Sequence, residues 1–86
     1  MTTWRKEIVA EMNRHNESWD DIISSTFKDR EEDVEFSDGY GGVNGCEFTV
    51  WTNNRVYWPA TYDGAEWCAS VSRNPDGLAT NHIGGG

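Results

Sequence analysis

Two turn signals constrain the fold of this chain more than any other feature. They separate three runs rich in β-branched and aromatic residues, over residues 46–52, 55–62 and 65–73. Asp63-Gly64 strongly favours a type I′ turn between antiparallel strands, and residues 53–54 (Asn-Asn) form a second two-residue connection. A further turn signal occupies residues 74–77. The sequence therefore predicts a β-meander over residues 46–77.

An amphipathic helix is predicted before the meander. Trp4, Ile8 and Met12 recur at intervals of four, so they form one apolar stripe over residues 3–15. Asparagine and histidine then lower the helix propensity and mark the end of the helix. The stripe needs a partner surface, and the sheet supplies one.

Residues 18–27 fit two interpretations. Their apolar spacing suits a helix, and Ser18 with Asp21 matches a capping box. The β-branched, uncharged run over residues 22–27 suits a strand instead. We favour a short turn followed by a strand, which would extend the meander.

Together these elements predict a single α+β domain over residues 1–86. An N-terminal amphipathic helix (residues 1–16) packs on a three- to four-stranded antiparallel β-meander. An acidic and glycine-rich segment (residues 17–45) lies between them, and a loose tail (residues 78–86) follows the meander.

Negative charge is concentrated in one stretch. The 86 residues include 15 acidic and 7 basic side chains, a formal net charge of −8. Residues 17–38 alone carry a net charge of −7. Direct nucleic-acid binding is excluded because it needs clustered Lys and Arg. The stretch is either a solvated loop or a surface for a basic partner, and its candidate partner-binding residues are Asp29, Glu31, Glu32, Asp33, Glu35 and Asp38.

Other chemistry finds little support in the sequence. Cys46 and Cys68 match no zinc-ligand spacing. We expect both to be free thiols in a reducing cytoplasm, although a disulfide between them is possible if their strands pair.

The glycine-rich residues 39–45 lack the Lys-Ser/Thr of a P-loop. His15 and His82 have no nucleophile arranged beside them. No run approaches the ~20 apolar residues of a membrane span. We therefore expect no enzyme activity, metal, cofactor or membrane contact.

Aromatic residues are the second set of candidate contacts. Tyr57 and Trp58 are adjacent on a predicted strand, so their side chains point to opposite sides of the sheet. Exposed members, together with Tyr40, would anchor a protein interface. The alternative is a small ligand-binding module that stacks a sugar or a base on Trp51, Tyr57, Trp58 or Tyr62.

Several segments carry a resemblance to known sequences. They are Phe48-Thr-Val-Trp-Thr52, Arg55-Val-Tyr-Trp-Pro59, Tyr62-Asp-Gly-Ala-Glu-Trp67 and Ser70-Val-Ser-Arg-Asn-Pro75, with Trp4-Arg5, Glu11-Met12 and Asp38-Gly-Tyr-Gly-Gly42. In this order they resemble small proteins encoded by tailed bacteriophages and prophages. The resemblance implies a protein made in the cytoplasm of an infected bacterial host.

The resemblance and the charge together suggest a role. We expect a phage-encoded, non-enzymatic inhibitor of a host defence complex, of anti-CRISPR or anti-restriction type. It would bind a basic nucleic-acid groove as a DNA mimic, and a CRISPR effector ribonucleoprotein is the expected partner. A phage structural or accessory protein is a further alternative, and the sequence leaves the oligomeric state open.

Overall fold

A computed structural model confirms the α+β architecture and describes residues 1–37, 39, 43–80 and 82. The helix α1 is followed by two 3-10 turns and four strands. Their order is α1 (Trp4–Arg14), 3-10 turn (Trp19–Asp21), β1 (Ser24–Ser25), 3-10 turn (Glu31–Asp33), β2 (Val50–Trp51), β3 (Arg55–Tyr62) and β4 (Ala65–Ser72). The strands form one antiparallel sheet in the order β1-β2-β3-β4, and α1 packs against it, mainly on β4.

The β3–β4 hairpin confirms the strongest sequence prediction. Its register runs without interruption from the Arg55–Ser72 pair to the Tyr62–Ala65 pair. Asp63 and Gly64 have φ angles of 50° and 86°, so both turn residues adopt the positive φ that a type I′ turn requires. A dipeptide therefore sets the register of the longest strand pair.

The strand predicted over residues 46–52 is shorter than expected. Only Val50–Trp51 pairs with β3 as a regular strand. The first residue of the predicted strand is bonded to the helix instead, because the Trp4 indole N–H donates to the carbonyl oxygen of Cys46 at 2.9 Å. Nearer to β2, the Thr49 backbone N–H donates to the side-chain hydroxyl of Thr26 at 2.9 Å and not to a backbone carbonyl, so the ladder is irregular there.

The ambiguous residues 18–27 form a turn and then a strand, as we favoured. The Ser18 backbone N–H donates to the carboxylate of Asp21 at 2.8 Å, which completes the capping box. The chain then forms β1, which pairs with β2. The predicted fourth strand is therefore confirmed.

The core lies between α1 and the sheet face that it covers. Trp4 is 1% exposed, and Ile8, Met12, Val50 and Tyr57 are fully buried. The Trp4 ring lies 4.7 Å, centroid to centroid, from both neighbouring phenylalanine rings in the core. The helix therefore contributes the central aromatic side chain of the core.

The opposite face of the sheet, called the outer face below, is also apolar. Residues that oppose each other across an antiparallel ladder share a face. The register places ten residues there, of which only Ser24 is not apolar: Ser24, Trp51, Val56, Trp58, Ala60, Tyr62, Ala65, Trp67, Ala69 and Val71. The molecule measures 36 × 32 × 19 Å, which matches one helix layer on one sheet layer.

Gly45 provides a direct test of the core. A Cβ atom at this position would lie 2.6 Å from the Trp4 ring. We expect Gly45→Ala to lower the free energy of unfolding by about 1–3 kcal/mol, because the ring or the loop must move to admit the methyl group. Urea denaturation followed by tryptophan fluorescence measures the loss.

Gly39→Ala is the matched control for this substitution. A Cβ at Gly39 meets nothing within 4 Å. We expect this variant to stay within about 0.5 kcal/mol of the wild type. Equal stability of the two variants would contradict the packing described for Trp4.

Candidate functional site

The acidic segment is fixed at both ends by core contacts. Phe27 stacks on Phe48 with ring centroids 5.0 Å apart. At the other end Phe36 is 7% exposed, and its backbone exchanges two 2.9 Å hydrogen bonds with Thr2. The carboxylates between these two ends therefore project from an anchored backbone.

Arg5 of α1 ties the middle of the segment to the helix. Its guanidinium donates two hydrogen bonds to Asp33, at 2.6 and 3.0 Å, and lies 3.8 Å from a carboxylate oxygen of Glu32. The same guanidinium lies 4.3 Å over the ring of Trp19. The hydrogen bond from Arg5 holds the pKa of Asp33 below its ordinary value.

Five predicted contact residues form one surface beside the N-terminal half of α1. This acidic surface consists of Asp29, Glu31, Glu32, Asp33 and Glu35. Asp29 and Glu35 are exposed and have no hydrogen-bond or ion-pair partner within the described residues. Glu31 accepts a hydrogen bond from the Lys28 backbone N–H at 2.8 Å.

Asp20 extends this surface, although sequence reasoning did not select it. Asp20 is exposed and lies in the same 3-10 turn as Trp19, whose ring contacts Arg5. The sequence did contain a signal for the position of Asp20: the capping box of Ser18 and Asp21 places the residues between them in one turn.

An open hollow of about 190 Å³ adjoins the acidic surface. Apolar side chains line it, with carboxylates beside them: Trp4, Val34 and Phe36, with Glu31 and Glu35. Val34 is 59% exposed. Cys46 also lines the hollow, and burial together with Glu31 raises the pKa of its thiol, which keeps it protonated.

The prediction that Tyr57 is an exposed anchor is wrong. Tyr57 faces α1 and is fully buried. Its hydroxyl donates to the carboxylate of Glu17, and burial with this bond raises the pKa of Tyr57 well above its ordinary value. The predicted alternation of side chains along the strand was correct, but the sequence did not show which face of the sheet the helix covers.

Those of the other predicted aromatic contacts that the structure describes lie away from the acidic surface. Trp58 is half-buried on the outer face, on the opposite side of the sheet from α1. Trp51 and Tyr62 share that face, where the described neighbours offer little to hold the hydroxyl groups of a sugar. Asp38 and Tyr40 lie outside the described residues.

Three further carboxylates point inward and join separate elements of the fold. Glu11 of α1 accepts from Ser70 at 2.6 Å, and Glu66 of β4 accepts from the backbone N–H groups of Asn44 and Gly45 at 2.8 Å. Glu17 accepts from Thr52 at 2.8 Å and from Tyr57. No buried side-chain polar atom of the described residues lacks a hydrogen-bond partner. These carboxylates hold the fold together.

The remaining thiol and metal-ligating side chains of the described residues are not grouped into a further site. Cys46 and Cys68 are both free thiols, and burial raises the pKa of Cys68. Within the part of the chain that the structure describes, no three His, Cys, Asp or Glu side chains are placed to hold a metal ion. The same residues contain no helix with the length and apolar character of a membrane span.

The Arg5–Asp33 pair is tested by titration. In the wild type we expect the pKa of Asp33 to lie below 3.8, so the pair persists at neutral pH and is lost only as the pH falls through that depressed value. Arg5→Gln removes the charged donor and should raise the pKa of Asp33 towards 3.8. Carboxyl ¹³C chemical shifts measure it.

Lys6→Gln serves as the control, because Lys6 is exposed and adjacent but donates no side-chain bond to the acidic surface among the described residues. This variant should leave the pKa of Asp33 depressed. An equal rise in both variants would mean that the pKa reflects general charge and not the Arg5 contact.

Comparison with known proteins does not indicate a function, so the function has to be inferred from the geometry of the chain. No protein-family model, curated protein or solved structure matches this sequence. The phage resemblance therefore stays a prediction.

Proposed function

We propose that this chain is a non-enzymatic binding protein whose acidic surface occupies a basic, nucleic-acid-binding site on a partner protein. The supporting observation is the anchoring of the acidic segment by Phe27 and Phe36. An anchored set of carboxylates loses little conformational freedom on binding, whereas a floppy acidic loop would lose much. A solvated loop needs no such anchoring to keep a protein dissolved.

Complementary charge favours this kind of partner. Asp29 and Glu35 lack partners among the described residues, so they are free to meet Lys or Arg of another protein. Such fields accelerate association, and their effect falls with ionic strength. Salt sensitivity is therefore a required property of the complex.

The hollow beside the acidic surface also suits a basic side chain of a partner protein. Val34, which is 59% exposed, provides apolar surface in front of the buried Trp4 and Phe36, and Glu31 and Glu35 stand beside it. A partner's Arg or Lys side chain has a matching aliphatic stem and charged head. Arg5 already shows this mode of binding inside the molecule, since it stacks on Trp19 and pairs with Asp33.

The phage resemblance narrows the class of partner. Within this proposal the chain inhibits a host defence complex by competing with nucleic acid. A CRISPR effector is the first target to test and a restriction enzyme the second. Both hold nucleic acid in positively charged channels.

Neutralising the two unpartnered carboxylates tests the proposal. Asp29→Asn/Glu35→Gln removes two charges, and asparagine suits the left-handed backbone of Asp29, whose φ is 48°. We expect at least a tenfold loss of binding, equivalent to about 1.4 kcal/mol, because both charges face the partner. The immobilised variant and wild type are compared in lysate from phage-infected bacteria at 50 and 500 mM NaCl, with mass spectrometry of the retained proteins.

Asp63→Asn/Asp76→Asn is the control, because it removes the same charge from two distant turns. Asparagine also fits the positive φ of Asp63 and can accept the Leu78 N–H bond made by Asp76. Nucleic-acid-binding complexes should be retained by wild type and control at 50 mM NaCl only.

Purified CRISPR effectors and restriction enzymes then provide a direct assay, in which wild type but not the neutralised variant should block target-DNA binding in a gel shift. Retention of the same complexes by the neutralised variant, at either salt concentration, refutes the proposed use of the acidic surface.

A further inference from the structure

The outer face of the sheet carries no charge. None of the side chains that β3 and β4 direct to this face is acidic or basic. Large and small residues oppose each other there, as in the Trp58–Ala69 and Trp67–Ala60 pairs. Ala69 and Ala60 are only 2% and 8% exposed, so the larger side chains around them close over them. The result is a flat apolar surface of rings and methyl groups.

This face differs from an ordinary solvated sheet face. Antiparallel sheets with one face in water usually alternate apolar and polar residues, with the polar set outward. In β4 the polar set of Glu66 and Ser70 points to the helix, and the apolar set points away from it. Among the described elements, α1 makes the main helix contact with the sheet, on the inner face. A sheet that is apolar on both faces requires a layer on each.

We propose that a second copy of this chain supplies that layer, so that two molecules pack outer face to outer face as a two-fold β-sandwich. A flat, uncharged face complements itself, which is the requirement of a two-fold interface. Aligned sheet-on-sheet packing is a standard arrangement for two such faces.

The distribution of charge permits this dimer despite the net charge of −8. The acidic surface lies on the helix side, where Arg5 of α1 bonds Asp33. With sheets about 10 Å apart and a helix layer beyond each, the acidic surfaces of the two copies stand roughly 30 Å apart. This exceeds the Debye length of about 8 Å several times, so their repulsion is screened.

The size of the face predicts a reversible dimer. Strands β3 and β4, of eight residues each, are about 27 Å long, and with the two-residue strands β1 and β2 they give roughly 300 Å² of flat area per copy. Two such faces with their side-chain relief bury roughly 700 Å², the size of a weak, transient contact. We therefore expect a weak dimer that forms only at high protein concentration.

Sedimentation equilibrium of the intact chain between 2 and 500 µM tests the proposal. The wild type should change from the mass of one chain to that of two as the concentration rises. Association should be as strong or stronger at 1 M NaCl, because apolar contacts do not weaken with salt. This separates the dimer from binding through the acidic surface, which salt weakens.

Val56→Lys places a charge in the outer face and should weaken self-association at least tenfold. Ala10→Lys is the control, because Ala10 is exposed on α1, on the opposite side of the sheet from the outer face, and its self-association should equal that of the wild type. Far-UV circular dichroism checks that each variant is folded, and Val71→Lys replaces Val56→Lys if the latter is not.

A wild type that keeps the mass of one chain up to 500 µM overturns the proposal and leaves the face to another partner. Undiminished association of a folded outer-face variant overturns it equally.

Discussion

The Trp4 indole is the contact on which the rest of the structure depends. It joins elements that are far apart in the sequence. Its ring packs on Phe36 at the end of the acidic segment and on Phe48 before β2. Its N–H holds the Cys46 carbonyl, and Gly45 lies directly against the ring. This one side chain of α1 therefore links the end of the acidic segment to the residues that lead into the sheet.

The negative charge of the chain has two different uses. Glu11, Glu17 and Glu66 point inward, where hydroxyl or backbone N–H donors satisfy them. Because a buried carboxylate without donors is costly, these three hold specific elements at specific places. Several outward carboxylates make only local contacts, as Asp21 does with Ser18, Glu31 with Lys28 and Asp76 with Leu78. Asp29 and Glu35 have no partner among the described residues. A count of acidic residues alone does not separate the two groups.

Local signals predicted the elements of this fold, whereas long-range contacts decided which faces are buried. The Asp63-Gly64 turn and the α1 stripe were predictable because each depends on neighbouring residues. The side of β4 that meets the helix was not, because its polar residues are satisfied by Glu11, Asn44 and Gly45, all far along the chain. The burial of Tyr57 has the same origin. The acidic residues of the candidate site were predictable from composition, but the Arg5–Asp33 pair, 28 residues apart, was not.

The double anchoring of the acidic segment separates its charged surface from the packing of the core. Phe27 and Phe36 commit the ends of the segment to the aromatic core, and the side chains between them contribute little to that core. Charged residues there can be exchanged without repacking the interior. If the acidic surface binds a partner as proposed, a change of partner needs only a few altered codons, while the scaffold that presents those residues is inherited intact.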